Sequence, residues 1–467
     1  MSSLFRTLKE NGAIRWVALL CLALPMFASY FFDDIFSTIS QEFEDPSMVA
    51  LGWSMADYGF YRSAYSLLCI FGGLIVCGML LDRWGVRVTG SVFVGLMVAG
   101  AAVITYAISG SFASSGLYGR LSAVFAKPSL SLAYAGCAMF GLGSEIAGVT
   151  VNRAIAKWFK GREIAFAMGL QLALARLGTA VALIVVPRIV DLDGYIPFSE
   201  TSRPAAVGMV LLLAALVLWA LFVAMDYGSD RKAASVAAGG SPAGVQERSG
   251  NKDEERFRFR DVIKVITDRH FILISLLCVF FYCCVVSFRK FATAILMPRF
   301  GIDSNVASVM VAMIPFFTLV FAPLFGAVVD RVGRGTKIMV AGSAMILFAH
   351  LTVAFAPGVP VFGFIAIGVL GLGYSLVPAA MWPSIPKIIS DNRLGTAFSL
   401  VYWVQNIGLF TVPIVVGHII DRTASPVSAE YFFIGLSVCA IVVAVLLSRS
   451  SDRHPELRLD EKAGGGK

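Results

Sequence analysis

Twelve stretches of the chain run apolar for about twenty residues or more between short polar breaks, and none alternates with the period of two that a barrel strand needs. Each is long enough to cross a hydrocarbon core of about 30 Å as an α-helix. They fall near 14–38, 56–80, 88–109, 130–157, 164–188 and 204–225, then near 270–297, 305–329, 338–356, 361–386, 396–420 and 430–448. The pattern predicts an all-α integral membrane protein with twelve transmembrane helices. One longer polar segment, 226–268, divides them six and six. It opens rich in Ala, Gly and Ser, then turns charged and partly amphipathic, as a cytoplasmic linker with a surface-lying second part does. The expected organisation is an N-terminal six-helix bundle over 1–225, this linker, a C-terminal bundle over 269–450 and a cytoplasmic tail over 451–467.

Composition agrees with the pattern. Of 467 residues, 58% are hydrophobic and 15% charged, against about 45–50% and 25% in soluble domains. That excludes a soluble enzyme on a single anchor and a disordered chain. The net charge of +8 would point to nucleic acid in a soluble domain, but here its distribution is topological. With the amino terminus placed inside, and Arg15, Lys157 and Arg188 at span ends counted with the adjoining loops, the cytoplasmic side holds 27 of the 38 Lys and Arg, the outer loops 6 and the spans 5, so both termini are expected in the cytoplasm. No nucleic-acid partner is implied.

All eight cysteines fall in apolar spans and read as small buried residues, with no disulfide framework. The four histidines are scattered, and neither H-E-x-x-H nor C-x-x-C occurs. No metal, cofactor or catalytic residue is therefore expected, and the chain does not read as an enzyme. The apolar stretch from Ile14 is too long for a cleavable signal and eleven more follow it. No Asn is followed two positions on by Ser or Thr, so no N-glycosylation acceptor exists, which favours a bacterial inner membrane.

The two halves share a motif. After the second span comes G-M-L-L-D-R-W-G-V-R, with Gly78, Asp82, Arg83, Gly85 and Arg87; after the eighth comes G-A-V-V-D-R-V-G, with Gly326, Asp330, Arg331 and Gly333. Asp82 to Asp330 and Gly85 to Gly333 are each 248 residues. Glycines allow close approach and tight turns, the Asp can cap or pair with a neighbouring helix end, and the Arg stays at the aqueous face. This repeated motif resembles that of the major facilitator superfamily, and the resemblance covers nearly the whole chain. It implies two pseudo-symmetric bundles, with the motif stabilising one of two packings.

Ionisable groups inside spans are costly and thus candidates for function. Glu145 reads as the only Glu in a span interior, within F-G-L-G-S-E-I-A-G of span 4; Arg176 lies in span 5. Glu145 is 13 residues before Trp158 and Arg176 is 13 after Glu163, so both sit about 20 Å from the same membrane face at 1.5 Å per residue. Matching depth on adjacent helices allows two readings, a structural ion pair or a site for a ligand carrying both charges. In the second, Glu145 takes an ammonium and Arg176 a carboxylate. Further out, Asp33 and Asp34 in span 1 and Arg289 and Lys290 in span 7 lie at equivalent depths, with Arg62 of span 2 nearby. These five read either as an outer gate of ion pairs or as side chains snorkelling to the interface. His350 in span 9 can carry a proton, or be simply packed and hydrogen-bonded.

Several runs are more closely similar to the lysosomal dipeptide-transporter family of animals and its bacterial relatives: S-Y-F-F-D-D, F-G-L-G-S-E, G-L-Q-L-A-L-A-R-L-G, M-W-P at 381–383, L-G-T-A-F and Q-N-I-G. The resemblance implies that Glu145 and Arg176 hold the two ends of a dipeptide, and it brings in Tyr374, Trp382, Gln405 and Asn406 as cavity-lining residues. Trp382-Pro383 also reads as a kink, and the two amides as interhelical hydrogen-bonders. Arg289-Lys290 departs from that family and leaves room for acidic peptides or organic anions. The expectation is thus a transporter of a small zwitterion (dipeptide, short peptide or amino acid) working by alternating access, as a uniporter or with a proton. The alternatives are a carrier of small carboxylates and a non-transporting membrane sensor. The partners expected are the small solute and the lipid bilayer, with the chain a monomer.

Overall fold

The structure, a computed structural model, describes residues 12–40, 51–159, 164–190, 202–239, 267–389 and 394–461. Among them, twelve helices are long and apolar enough to cross a membrane. Spans 1 to 6 are Gly12–Thr38, Met55–Leu81, Arg83–Ala107, Pro128–Trp158, Ala167–Val190 and Arg203–Arg231. Spans 7 to 12 are Arg269–Phe300, Ser304–Val329, Gly335–Phe355, Pro360–Ile388, Leu400–Thr423 and Pro426–Arg453. The chain is a multi-pass membrane protein.

Packing repeats between the halves. Span 1 packs on spans 5 and 6, span 2 on span 4, and span 3 on spans 4 and 6. The same pairs recur six helices later: 7 on 11 and 12, 8 on 10, 9 on 10 and 12. Between bundles, span 2 meets span 11 and span 5 meets span 8, again related by the same exchange. Spans 4 and 5 touch only slightly, so the expectation that they are packed neighbours is corrected.

The motif glycines explain themselves at the backbone. Gly85 (φ 74°) and Gly333 (φ 66°) both hold the left-handed region that lets the chain turn sharply between spans 2 and 3 and spans 8 and 9. Arg83 and Arg331 are exposed, while the side chains of Asp82 and Asp330 lie outside the described ones. Arg87 instead pairs with Asp226 at 2.6 Å and with Asp230. Lys157 at the end of span 4 holds the same two carboxylates at 2.8 and 2.9 Å, and the Trp158 indole donates to Asp226 at 2.7 Å. Those aspartates sit on the sixth helix, which runs on to Gly239, so the first part of the expected linker is helical; residues 240–266 lie outside the described ones.

At the end opposite the glycine motifs, which the Lys and Arg distribution leads one to expect on the outer side, the bundles are in contact. Gly59 lies against the Pro413 carbonyl and Gly417 against that of Met55, leaving no space for a Cβ at either. The first turn of span 2 is finished from the other bundle, Ala56 N–H donating to Asp421 at 3.1 Å. Seven cysteines are buried; Cys439 faces outward, correcting its reading as buried, because it lies on the outer side of span 12.

Candidate substrate site

A cavity of about 790 Å³ lies between the bundles and reaches toward the motif end at Gly78 and Asn152. Glycines of the quoted runs set its charged residues. Gly141 sits on the backbone of Tyr65, and Gly143 on that of Met97, which seats span 4 tightly against spans 2 and 3. Glu145, one turn on from Gly141, therefore meets Tyr65, whose hydroxyl donates to Glu145 Oε1 at 3.2 Å. Gly178 sits on the Phe27 carbonyl of span 1, and Arg176, two residues earlier, reaches between Tyr30 and Tyr374, its guanidinium 5.7 and 5.6 Å from their ring centres.

Both charges line the cavity and both are half-buried. They do not pair with each other, and among the described residues no carboxylate pairs with Arg176. Its Nε is buried without a hydrogen-bond partner. Of the two readings, the structural ion pair is therefore not what forms. Two rings flank the cation without neutralising it, so it stays available to a carboxylate.

The C-terminal bundle supplies an aromatic and amide wall. Trp382 stacks on Tyr402 at 5.2 Å, and Tyr282 meets Tyr374 edge-on at 6.2 Å. Gln405 and Asn406 line the cavity as well. Asn406 donates to the Tyr402 carbonyl at 3.0 Å, leaving its own oxygen without a partner. Tyr30, Tyr65, Tyr282 and Tyr402 were not among the sequence candidates. The available signal was tyrosines set in apolar helices, where a hydroxyl needs a partner or a water-filled space.

The five outer charges form one connected set. Arg289 pairs with Asp34 at 2.5 Å, Lys290 with Asp33 at 2.5 Å, and Arg62 with Asp33 at 2.7 Å. Thr179 of span 5 also donates to Asp34 at 2.7 Å. Asp34 is fully buried, and Arg62 and Arg289 nearly so, which corrects the snorkelling reading. The pairs tie span 1 to span 7 across the bundle interface and roof the cavity at its closed end. Lys290 Nζ lies 5.8 Å from the Tyr65 ring centre, so the roof touches the residue that holds Glu145. All but Asp34 line the cavity.

A second correction concerns Glu145 as the sole span glutamate. Glu430, in the first turn of span 12, is fully buried against His350 of span 9 at 2.8 Å. It lay at the edge of the expected span, where sequence reads an interfacial residue.

The family model for the Major Facilitator Superfamily matches residues 18–295 and 276–465. The chain belongs to that superfamily. It is 26% identical over 447 residues to the lysosomal dipeptide transporter MFSD1 of Homo sapiens, covering 94% of this chain and 87% of the relative. A putative tartrate transporter of Agrobacterium vitis is 25% identical over 160 residues, covering 34% of this chain and 35% of the relative. Among solved structures, the nucleoside transporter NupG superposes with a TM-score of 0.67 at 13% identity, over 92% of this chain and 99% of its own, which establishes the shared fold. The chain is a membrane transporter of a small molecule and not an enzyme.

Proposed function

We propose that the protein carries dipeptides or similar small zwitterions by rocker-switch alternating access, with Glu145 binding the ammonium and Arg176 the carboxylate. The observation that carries this reading is one unpaired acid and one unpaired base, both half-buried, on the walls of a single cavity. A solute of both charges satisfies each at once, whereas either left alone beside apolar walls is costly. The similarity to the dipeptide transporter over nearly the whole chain supports it. The aromatic wall of Tyr282, Tyr374, Trp382 and Tyr402 suits a solute with apolar side chains, and Gln405 and Asn406 suit a peptide group. Glu145 is the candidate proton carrier if transport is proton-coupled. The ion pairs of Asp33 and Asp34 with Arg62, Arg289 and Lys290 are the outer gate of this mechanism. The chain acts as a monomer in a bacterial cytoplasmic membrane, a placement supported by the Lys and Arg distribution and the absence of a glycosylation acceptor.

A thermal-shift screen of dipeptides, amino acids and carboxylates on purified protein tests the assignment. Dipeptides are expected to stabilise the wild type but not Arg176→Ala, and Glu145→Gln only weakly. Stabilisation by carboxylates alone would favour the second reading, a carrier of small organic anions. That reading is supported by Arg62, Arg289 and Lys290 on the cavity wall and by the partial similarity to the tartrate transporter. Counterflow in proteoliposomes separates either from a sensor, which binds solute without moving it.

A further inference from the structure

The charges around the cavity do not cancel. Asp33, Arg62, Glu145, Arg176, Arg289 and Lys290 line it, and Asp34 stands behind Arg289 at 2.5 Å. The set holds four cations against three carboxylates, a surplus of one positive charge. Among the described residues, other charges toward the outer end are satisfied elsewhere. Asp57 pairs with Lys127, and Glu430 with His350. Arg299 is turned to the backbone carbonyls of Val353 and Ala354. Asp421 is exposed and accepts from the Ala56 N–H.

The surplus has a definite place. Arg289 and Asp34 are matched one to one at 2.5 Å, and Thr179 donates to the same carboxylate at 2.7 Å. Asp33, by contrast, is one carboxylate between two cations, Arg62 at 2.7 Å and Lys290 at 2.5 Å. Arg62 also donates to the Asp33 backbone carbonyl at 2.9 Å, and both belong to the N-terminal bundle. Lys290 comes from the other bundle, positioned by the Tyr58 hydroxyl, which donates to its carbonyl at 3.0 Å. An ammonium has three N–H donors, and Asp33 takes one. The Lys290 ammonium lies 5.8 Å from the ring centre of Tyr65, and the hydroxyl of that ring donates to Glu145 at 3.2 Å. The surplus charge thus stands one tyrosine away from the carboxylate assigned to the solute's ammonium.

A plain zwitterion satisfies Glu145 and Arg176 and leaves the surplus where it is. Lys290 is only 9% exposed, in surroundings where an uncompensated charge is costly. A solute with one more carboxylate neutralises the whole set. That carboxylate has to come from the residue whose ammonium sits at Glu145, because that end of the solute is the one beside Tyr65 and Lys290. A cationic side chain at the same place adds a second uncompensated charge and is disfavoured for the same reason.

We propose that the preferred solutes are dipeptides whose first residue is acidic, with the side-chain carboxylate taken by Lys290 and backed by Arg62. The inference rests on the reading of Glu145 and Arg176 as the ammonium and carboxylate sites, and it narrows that reading to a substrate class. It also gives the roof cations a place in peptide binding without a separate class of anionic solutes.

The test is titration calorimetry on the purified full chain with Glu-Ala, Ala-Glu, Ala-Ala and Lys-Ala. Glu-Ala is expected to bind about tenfold more tightly than Ala-Ala, with Ala-Glu near Ala-Ala and Lys-Ala the weakest. In Lys290→Met, Asp33 keeps Arg62 as its single partner, and Glu-Ala and Ala-Ala are expected to bind alike. Lys290→Arg, which retains the charge, is expected to retain the preference. Equal affinity of the wild type for Glu-Ala and Ala-Ala overturns the proposal, and so does an Ala-Glu affinity that matches Glu-Ala. Neither comparison depends on a variant being folded. A preference for Glu-Ala that survives in Lys290→Met overturns it as well. Binding of none of the four dipeptides would instead overturn the dipeptide reading itself, and the acidic preference with it.

Discussion

The two bundles share their packing and a motif, yet they treat charge in opposite ways. The N-terminal bundle turns Glu145 and Arg176 into the cavity, half-buried and without each other. The C-terminal bundle takes its own Glu430 and His350 out of reach, fully buried and paired at 2.8 Å, and faces the cavity with aromatic rings and amides below Arg289 and Lys290, which are themselves engaged by Asp34 and Asp33. A charge beside a water-filled space remains free for a ligand, while one among phenylalanines must find its partner within the fold. Backbone pseudo-symmetry therefore fixes where side chains can stand, not which chemistry stands there.

The inner ends make the same point. In the first half Arg87 and Lys157 lock onto Asp226, whose side chain is fully buried, on an extended span 6. In the second half the chain beyond span 12 folds back, and Asp460 accepts from Thr336 N–H at 2.8 Å and from the Ser451 hydroxyl at 2.7 Å. Asp460 thus caps the first turn of span 9 from a distance in sequence. One half uses a charge latch, the other a helix cap.

The largest effect is expected at the N-terminal cavity charges. Arg176→Ala should lower dipeptide affinity on the order of 100-fold, about 3 kcal/mol for removing one side of a buried charge-assisted contact. Titration calorimetry checks it; an unchanged affinity would make the unpaired cation structural and erase the contrast between bundles. Next comes the roof. Arg289→Ala leaves Asp34 buried beside Thr179 alone and should cost about 3–5 kcal/mol or open the outer end, read as a lower Tm or greater outer cysteine accessibility. Adding Asp34→Asn should recover most of it.

Asp226→Ala removes the buried one of the two carboxylates that hold Arg87 and Lys157, together with an acceptor of the Trp158 indole, and is expected to cost about 3 kcal/mol. Asp460→Ala removes a cap and should cost about 1 kcal/mol. Denaturation of the two variants side by side would sharpen the comparison, and equal losses would show the two inner ends to be equivalent after all. The smallest effect is set for Glu145→Gln, which keeps an acceptor for Tyr65. It should weaken free dipeptides about tenfold, or about 1.4 kcal/mol, and leave N-acetylated dipeptides unchanged.

Hydrophobic runs alone determined the number of spans, the six-and-six division and the membrane setting, because the bilayer imposes length and apolarity on every crossing helix locally. The repeated glycine motif determined where the sharp inner turns fall. Depth counting along single helices brought Glu145 and Arg176 to the same level and Asp33, Asp34, Arg289 and Lys290 to another, since rise per residue is a one-dimensional quantity. Whether those charges meet was a different kind of question. Helix rotation and neighbour choice placed span 5 against spans 1 and 8, so Arg176 found two tyrosines and not Glu145, and paired Glu430 with a histidine 80 residues earlier. Asp226 and Asp460 gained their roles in the same way. Each of these contacts joins residues far apart in sequence, and only the packing of helices against one another decides it.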